Sequence, residues 1–535
     1  MKFYKHFILI LIVLFAISNC ARRGNPSGGP KDEDAPISIK TVPAYKTVNF
    51  DKNEINIYFD EYIKLKDLKK NLIISPPLKY PADITPLGIP SKKITIVIKD
   101  TLVKNTTYTF NFGESIIDNN EGNVLSGFKY IFSTGNHIDS LSIKGTITDA
   151  INKKADEYVA ILLYEANKSF NDSTIYKEKP IYVTNTLDSL GWEISNLKKG
   201  KYHLLALKEE LNDYLFNPRT DKIAFIDSVI SIPTDKNFKL NLFKETPVFK
   251  TSKPVEESKG HLVFPYFGDA KHLKVEVNLE KSNLSQLSNV QFLEKEKDTL
   301  NYYFSTDKKL DSLFFTIKNN DYSVEEKVIL RSKQTDSLLV KNNIRGTLNF
   351  NDTLIFTTNN PLKEFKKELF TIFDKDTVAV NFDLKQNGHR ALLVLFDKQE
   401  NQQYHIKVLP NALTDFFNQT SKDTINVNLR TKKKDNYGSI NMAIHNPSKK
   451  AIIVQLLSLK EKIVAQHLVT NQKEVAFNLL NPAKYLIRVI YDDNQNGKWD
   501  TGSYLNKQQP EKVFYFEKEI EVKENWFVNE TIDIK

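Results

Sequence analysis

Among residues whose types and spacing could do chemistry, one run stands apart: Asp492-Asp493-Asn494-Gln495-Asn496-Gly497-Lys498-Trp499-Asp500. Counted from Asp492, oxygen-bearing side chains fall at the first, third, fifth and ninth positions, and a glycine falls at the sixth. That spacing can wrap oxygens around a hard cation such as calcium, with the glycine taking the positive φ of the sharp turn. Asp492, Asn494, Asn496 and Asp500 would offer side-chain oxygens, and Lys498 its backbone carbonyl. Two features oppose a metal: the twelfth position is Ser503 where such loops carry glutamate, and Lys498 adds a positive charge. The same residues also suit an Asx-rich hairpin turn whose side-chain oxygens cap backbone N–H groups. Both readings stay open.

Catalytic signatures are missing elsewhere. The chain has no Gly-x-Ser-x-Gly elbow, no phosphate-binding glycine loop, no dinucleotide glycine trio and no His-Glu-x-x-His pair. Its nine histidines occur singly, so no zinc spacing emerges, and among 66 acidic residues nothing singles out a catalytic pair. His203 and His405 fall inside alternating strand patterns and read as strand residues. Trp192, Trp499 and Trp526 could stack on sugars, but each lies near a strand, where packing is the better reading. The expectation is a protein that is not an enzyme.

The elements that position these residues begin with a targeting segment. Lys2 and Lys5 precede an apolar run over residues 7–17, and Ile17-Ser18-Asn19-Cys20 follows. The run is shorter than the ~20 apolar residues needed to cross a bilayer, so it reads as a signal peptide. Its end resembles a lipobox, and Cys20 is the chain's single cysteine. The resemblance implies cleavage after residue 19, acylation of Cys20 with palmitate-type chains, and anchoring in a membrane. Ala21 is not the aspartate that retains many lipoproteins at the inner membrane, so the outer membrane is expected, on its periplasmic or cell-surface face. Residues 20–35, rich in Gly, Pro and charge, read as lipidated cysteine and flexible tether. Lys31-Asp32-Glu33-Asp34 suits a solvated spacer or an acidic export signal.

Removing 19 residues from 535 leaves 516, enough for four or five domains of ~100–150 residues. Disulfides are excluded, so stability must come from burial. With the two signal-peptide lysines removed, the formal charge falls from +9 to +7, spread among interspersed acids and bases. The longest basic cluster, Lys432-Lys433-Lys434, meets Asp435 at once. Nucleic acid is not an expected partner.

Strand patterns dominate. Glu54-Ile55-Asn56-Ile57-Tyr58-Phe59-Asp60 and Lys93-Ile94-Thr95-Ile96-Val97-Ile98-Lys99 alternate with period two. With Ser75-Pro76-Pro77, Tyr108-Thr109-Phe110, Asp118…Gly122-Asn123 and Tyr130-Ile131-Phe132-Ser133-Thr134, residues 36–136 resemble the bacterial Ig-like domain of S-layer and lipoprotein chains. The 492–500 run resembles the calcium loops of dockerins. Two internal repeats extend the pattern. The run Gly200-Lys201-Tyr202-His203-Leu204-Leu205-Ala206-Leu207 returns as Ala483-Lys484-Tyr485-Leu486-Ile487-Arg488-Val489-Ile490. In that register Phe216 meets Trp499, and after a longer connection in the second copy Lys222-Ile223-Ala224-Phe225 is answered by Lys512-Val513-Phe514-Tyr515. Residues 140–245 and 436–535 therefore read as copies of one module, similar to small sandwiches of transthyretin or carboxypeptidase-regulatory kind. The first copy, Glu209-Glu210-Leu211-Asn212-Asp213, lacks the third-position oxygen, so no metal is expected there. A weaker repeat relates residues 36–136 to 343–432. Residues 260–340 form a further β domain, behind a linker-like stretch over 246–260.

The expected fold is all-β: a tandem array of Ig-like and transthyretin-like sandwiches after a lipoprotein signal peptide over residues 1–19. The expected role is a spacer, binding or adhesion module of the cell envelope. Its partners would be the membrane, through the lipid, and a polysaccharide or an envelope protein. An extracellular glycan-acting enzyme, or an accessory carbohydrate-binding protein, is the alternative.

Overall fold

The computed structural model describes residues 32–447 and 449–534. Among the described residues, forty-two strands and one four-residue α-helix, Leu68–Asn71, account for the regular structure apart from short 3-10 turns. The chain is all-β. Alternation explains much of it. Glu54–Leu65 buries Ile55, Ile57 and Phe59 and turns Asn56 and Tyr58 outward, and paired sheets of this kind enclose one core between them.

Five such cores follow one another along the chain. In the first unit, Ile55, Ile57, Ile94 and Ile96 face Tyr108, Phe110 and Phe132 of the opposite sheet. The fourth unit repeats this plan. Glu54–Leu65 pairs with Ser91–Val97 and with Ile116–Asp118 in the first unit. Leu354–Thr358 pairs with Ala391–Phe396, and Leu362–Phe365 with Leu413–Asp415, in the fourth. Even the brace is shared: the Tyr108 hydroxyl accepts the Val103 N–H at 2.9 Å, and the Tyr404 hydroxyl accepts the Gln399 N–H at 2.7 Å.

The second and fifth units match more closely. Each has a three-stranded sheet closed by a parallel strand (Asn237–Leu242 on Leu141–Asp149, Phe527–Asp533 on Gly438–His445) and a five-stranded antiparallel sheet. Leu205, Ala206 and Leu207 pair with Phe225, Ala224 and Ile223, while Arg488, Val489 and Ile490 pair with Tyr515, Phe514 and Val513. This is the register of the sequence repeat, residue for residue.

The third unit departs from expectation at its start. Lys250–Thr251 and Val255–Ser258 both pair with His261–Phe267, although both lie in the stretch that reads as linker. Pro and charge can occupy edge strands, where one side of the backbone needs no partner, and this hides the strands from a compositional reading.

The array does not run straight. Ala160–Glu165 and Ile452–Ser458 are buried almost throughout rather than alternating. The second face of Ala160–Glu165 lies under the second unit's own Ile175, Phe216 and Phe243 together with Tyr504 of the fifth. Gln455 of Ile452–Ser458 bonds Arg488, which reaches the second unit's Ile151 carbonyl. The five units are consecutive in sequence but form a closed arrangement in space, with the third and fourth units leading out from the second and back to the fifth.

Candidate functional site

The loop 492–500 closes around two carboxylates. Asp492, 1% exposed, accepts the N–H of Asn496 on Oδ1 and of Gly497 on Oδ2, each at 2.9 Å. The Asn494 and Asn496 amides both donate to Asp500 Oδ2 at 2.5 Å. Their own Oδ1 atoms accept the Asn496 and Lys498 N–H groups at 3.1 and 3.0 Å. Gly497 has φ 77°, the turn conformation expected of it. Asn494, Asn496 and Asp500 thus meet at one point, and Asp492 anchors the backbone beside them. The Lys498 side chain takes no part, and the expected twelfth position, Ser503, pairs with Gln508. Glu511, absent from the sequence reading, accepts the Asp493 and Asp500 N–H groups at 2.9 Å. Burial raises its carboxyl above the usual range. Among the described residues no group of three or more His, Cys, Asp or Glu side chains is arranged to hold a metal. Any cation here would rely on amide oxygens, exposed when the two asparagine side chains turn over.

Beyond Asp500 the chain enters the second unit. Thr501 donates its hydroxyl to the Lys244 carbonyl at 2.6 Å, and the Tyr504 N–H donates to the buried carboxylate of Glu245. Tyr504, 3% exposed, sets its ring edge-on to Phe225 at 5.4 Å and joins a cluster with Tyr164, Leu205, Leu207 and Phe243. Gly502 lies so close that a Cβ there would sit 2.7 Å from the Phe243 ring. Lys507 and Asp172 form an ion pair at 2.5 Å, and Gln509 donates to Asp227 at 2.8 Å. On the other flank Arg488, 5% exposed, donates to Gln455 at 2.8 Å and to the Ile151 carbonyl at 3.1 Å, while the Tyr515 hydroxyl reaches the same carbonyl at 2.8 Å. Apolar burial and satisfied polar groups together form a clasp between the two copies.

The clasp leaves a cleft of about 1060 Å³ where the second, third and fifth units meet. Arg219 and Lys244 line it from the second unit, Phe267 and Asp298 from the third, and Lys498, Trp499 and Asp500 from the fifth.

The other expected residues fall as follows. Cys20 lies outside the described residues. Trp192 is core at 5% exposure, Trp499 is half-buried against the Tyr504 cluster, and Trp526 is 48% exposed. His203 stacks on Phe170 at 3.9 Å, and His405 bonds Asn428 at 2.9 Å. The loop of the first copy is built on Glu209, which accepts the Asp213 and Tyr214 N–H groups at 3.0 Å. Burial lifts its carboxyl to about 7.

Residues 32–134 match the family model of the bacterial Ig-like domain. No curated protein matches the chain. Among solved structures, the S-layer protein rSbsC is 12% identical, the match covering 91% of this chain and 67% of that one with a TM-score of 0.15. The Bacillus anthracis TIE protein is 10% identical over 95% and 76%, also at 0.15. The BSP domain of a biofilm associated protein is 10% identical over 86% and 93%, again at 0.15. Superpositions this loose carry no functional argument, so what the comparisons identify is an N-terminal unit matching the bacterial Ig-like family.

Proposed function

We propose that the chain is a non-catalytic lipoprotein of the cell envelope, anchored in the outer membrane through acylated Cys20, whose β units form a rigid spacer and binding module. The observation that carries this reading is the clasp between the two module copies. It ties units far apart in sequence into one body, so loops and clefts are held at fixed positions away from an anchor near residue 20. A string of separately linked sandwiches would bend at each junction and present no composite surface. The ligand is a polysaccharide or an envelope protein, and the cleft between three units is where it docks.

Two experiments test this. Mass spectrometry of the mature protein should find an acylated Cys20 at the N-terminus, and Cys20→Ala should release soluble protein; an intact Met1 contradicts the anchor. On a glycan array the chain should bind without turnover, and release of reducing sugar ends would favour the glycan-acting enzyme instead.

We also propose that calcium occupies the 492–500 loop. Asp492, Asn494, Asn496, Asp500 and the Lys498 carbonyl are the ligands, replacing the hydrogen bonds that now join both asparagines to Asp500. The convergence of three oxygen-bearing side chains supports this.

A further inference from the structure

Resting on the binding-module reading, we infer that the cleft at the junction of the second, third and fifth units holds a segment of anionic polysaccharide. The charges in the cleft are unequally engaged. Arg219 is exposed, and its guanidinium lies 4.2 Å from the Phe267 ring centre; among the described residues it has no carboxylate or hydrogen-bond partner. The Lys498 ammonium across the cleft is likewise without a partner among them. Lys244 adds a third cation, engaged only with the Arg219 carbonyl at 2.8 Å. Two of the three acids are already satisfied: Asp500 by two asparagine amides, and Glu245 by the Tyr504 N–H. Asp298 alone is exposed and unengaged. By formal charge the three cations and three acids cancel, but of the charged side chains left without a partner two are cations, Arg219 and Lys498, and one is an acid, Asp298.

Stacking pre-orders the guanidinium plane, and its free N–H edges match the two oxygens of a carboxylate or sulfate. Beside the cations lies half-buried Trp499, which offers a sugar ring an apolar surface. A volume at the upper end of small-ligand pockets suits several linked rings better than one. No single unit contains this combination; it exists only because the clasp is closed.

Calorimetric titration of the purified full chain tests the inference with three probes of similar length: an oligogalacturonate, a sulfated dextran fragment and a neutral glucan. The anionic chains should bind, more weakly as salt rises, and the neutral glucan should bind at least tenfold more weakly. Arg219→Ala should weaken binding about tenfold, the scale of one charge-assisted hydrogen bond. Lys498→Ala should weaken it less, and Arg219→Lys should restore part of the affinity. Both substituted side chains are exposed, and unchanged melting curves will show that the variants fold. Preference for the uronate, with Arg219→Lys rescuing poorly, identifies carboxylate as the anion; equal binding of the sulfated chain, with good rescue, identifies anion charge alone. Absence of anionic binding, equal binding of the neutral glucan, or an unaffected Arg219→Ala overturns the cleft assignment and leaves the binding-module reading standing. Turnover of any probe overturns that reading instead.

Discussion

The second and fifth units share strand order, a parallel closing strand and register, yet one supplies a socket and the other the plug. The difference lies in one connection. Between Gly200–Lys208 and Lys222–Phe225 there are 13 residues, and between Ala483–Tyr491 and Val513–Tyr515 there are 21. The shorter connection folds onto its own unit, where Phe216 meets Tyr176 at 5.5 Å. The longer one turns tightly over 492–500 and carries Tyr504 across to the other copy. Repeated apolar alternation fixes the sheets in both copies, and a few extra loop residues decide what each sheet packs against.

The largest expected effect comes from removing the plug. Tyr504→Ala deletes a buried ring and should cost about 3–5 kcal/mol, the scale for an aromatic truncated in a core. Because the ring belongs to one unit and its socket to another, calorimetry should show a fifth unit melting separately from the second. Phe216→Ala, in the shorter connection, truncates a ring that the second unit supplies to the same cluster and should lower the melting temperature of the second unit. A single unaltered transition for Tyr504→Ala would mean that the clasp is not closed in solution.

Calcium should distinguish the copies next. If the 492–500 loop binds it, the fifth unit gains roughly 2.7 kcal/mol at one hundred times the dissociation constant. Its melting temperature should rise with calcium and fall with chelator, and Asp492→Ala should abolish the response while the second unit stays unmoved. A melting curve indifferent to calcium would leave the loop as a turn closed by its own hydrogen bonds.

The smallest effect is the pH slope that Glu209 contributes to the first copy. Burial holds Glu209 at about 7, above its ordinary 4.5, so the folded chain binds more protons than the unfolded one between those values. Stability contributed by this group should fall as pH rises from about 4.5 to about 7 and stay level beyond. Glu209→Gln should flatten the slope. Subtracting the variant's melting profile isolates Glu209 from Glu61, Glu245 and Glu511, whose carboxyls are also raised by burial. An unchanged slope in the variant would contradict the assignment.

Much of the fold is legible in the sequence because sheet faces write themselves as period two. Ile55, Ile57 and Phe59 announce a buried face, and the Tyr202 and Tyr485 runs announce a shared module down to their paired strands. The clasp is hidden for physical reasons. Tyr504 sits among Ser503, Leu505 and Asn506 in a segment with no period, and the core residues it packs on, Tyr164, Leu205, Leu207, Phe225 and Phe243, lie more than 250 positions earlier. Arg488 looks like a misplaced charge in an apolar strand until the Ile151 carbonyl and Gln455 are beside it. One signal was available: Ala160-Ile161-Leu162-Leu163 and Ile452-Ile453-Val454 do not alternate, and strands apolar on both faces are covered on both faces. The cleft was invisible for the same reason as the clasp, since Arg219, Phe267 and Lys498 meet only when three units do.

Zero-length carbodiimide cross-linking of the unmodified chain tests the closure most directly, because it joins a carboxylate to an ammonium only where the two already touch. Digestion and mass spectrometry of the monomer should recover a peptide linking Asp172 to Lys507, the pair that spans the second and fifth units. That link should vanish in Tyr504→Ala. Cross-links confined to sequence-adjacent units, with none between the second and fifth, would contradict the closed arrangement and the cleft that depends on it.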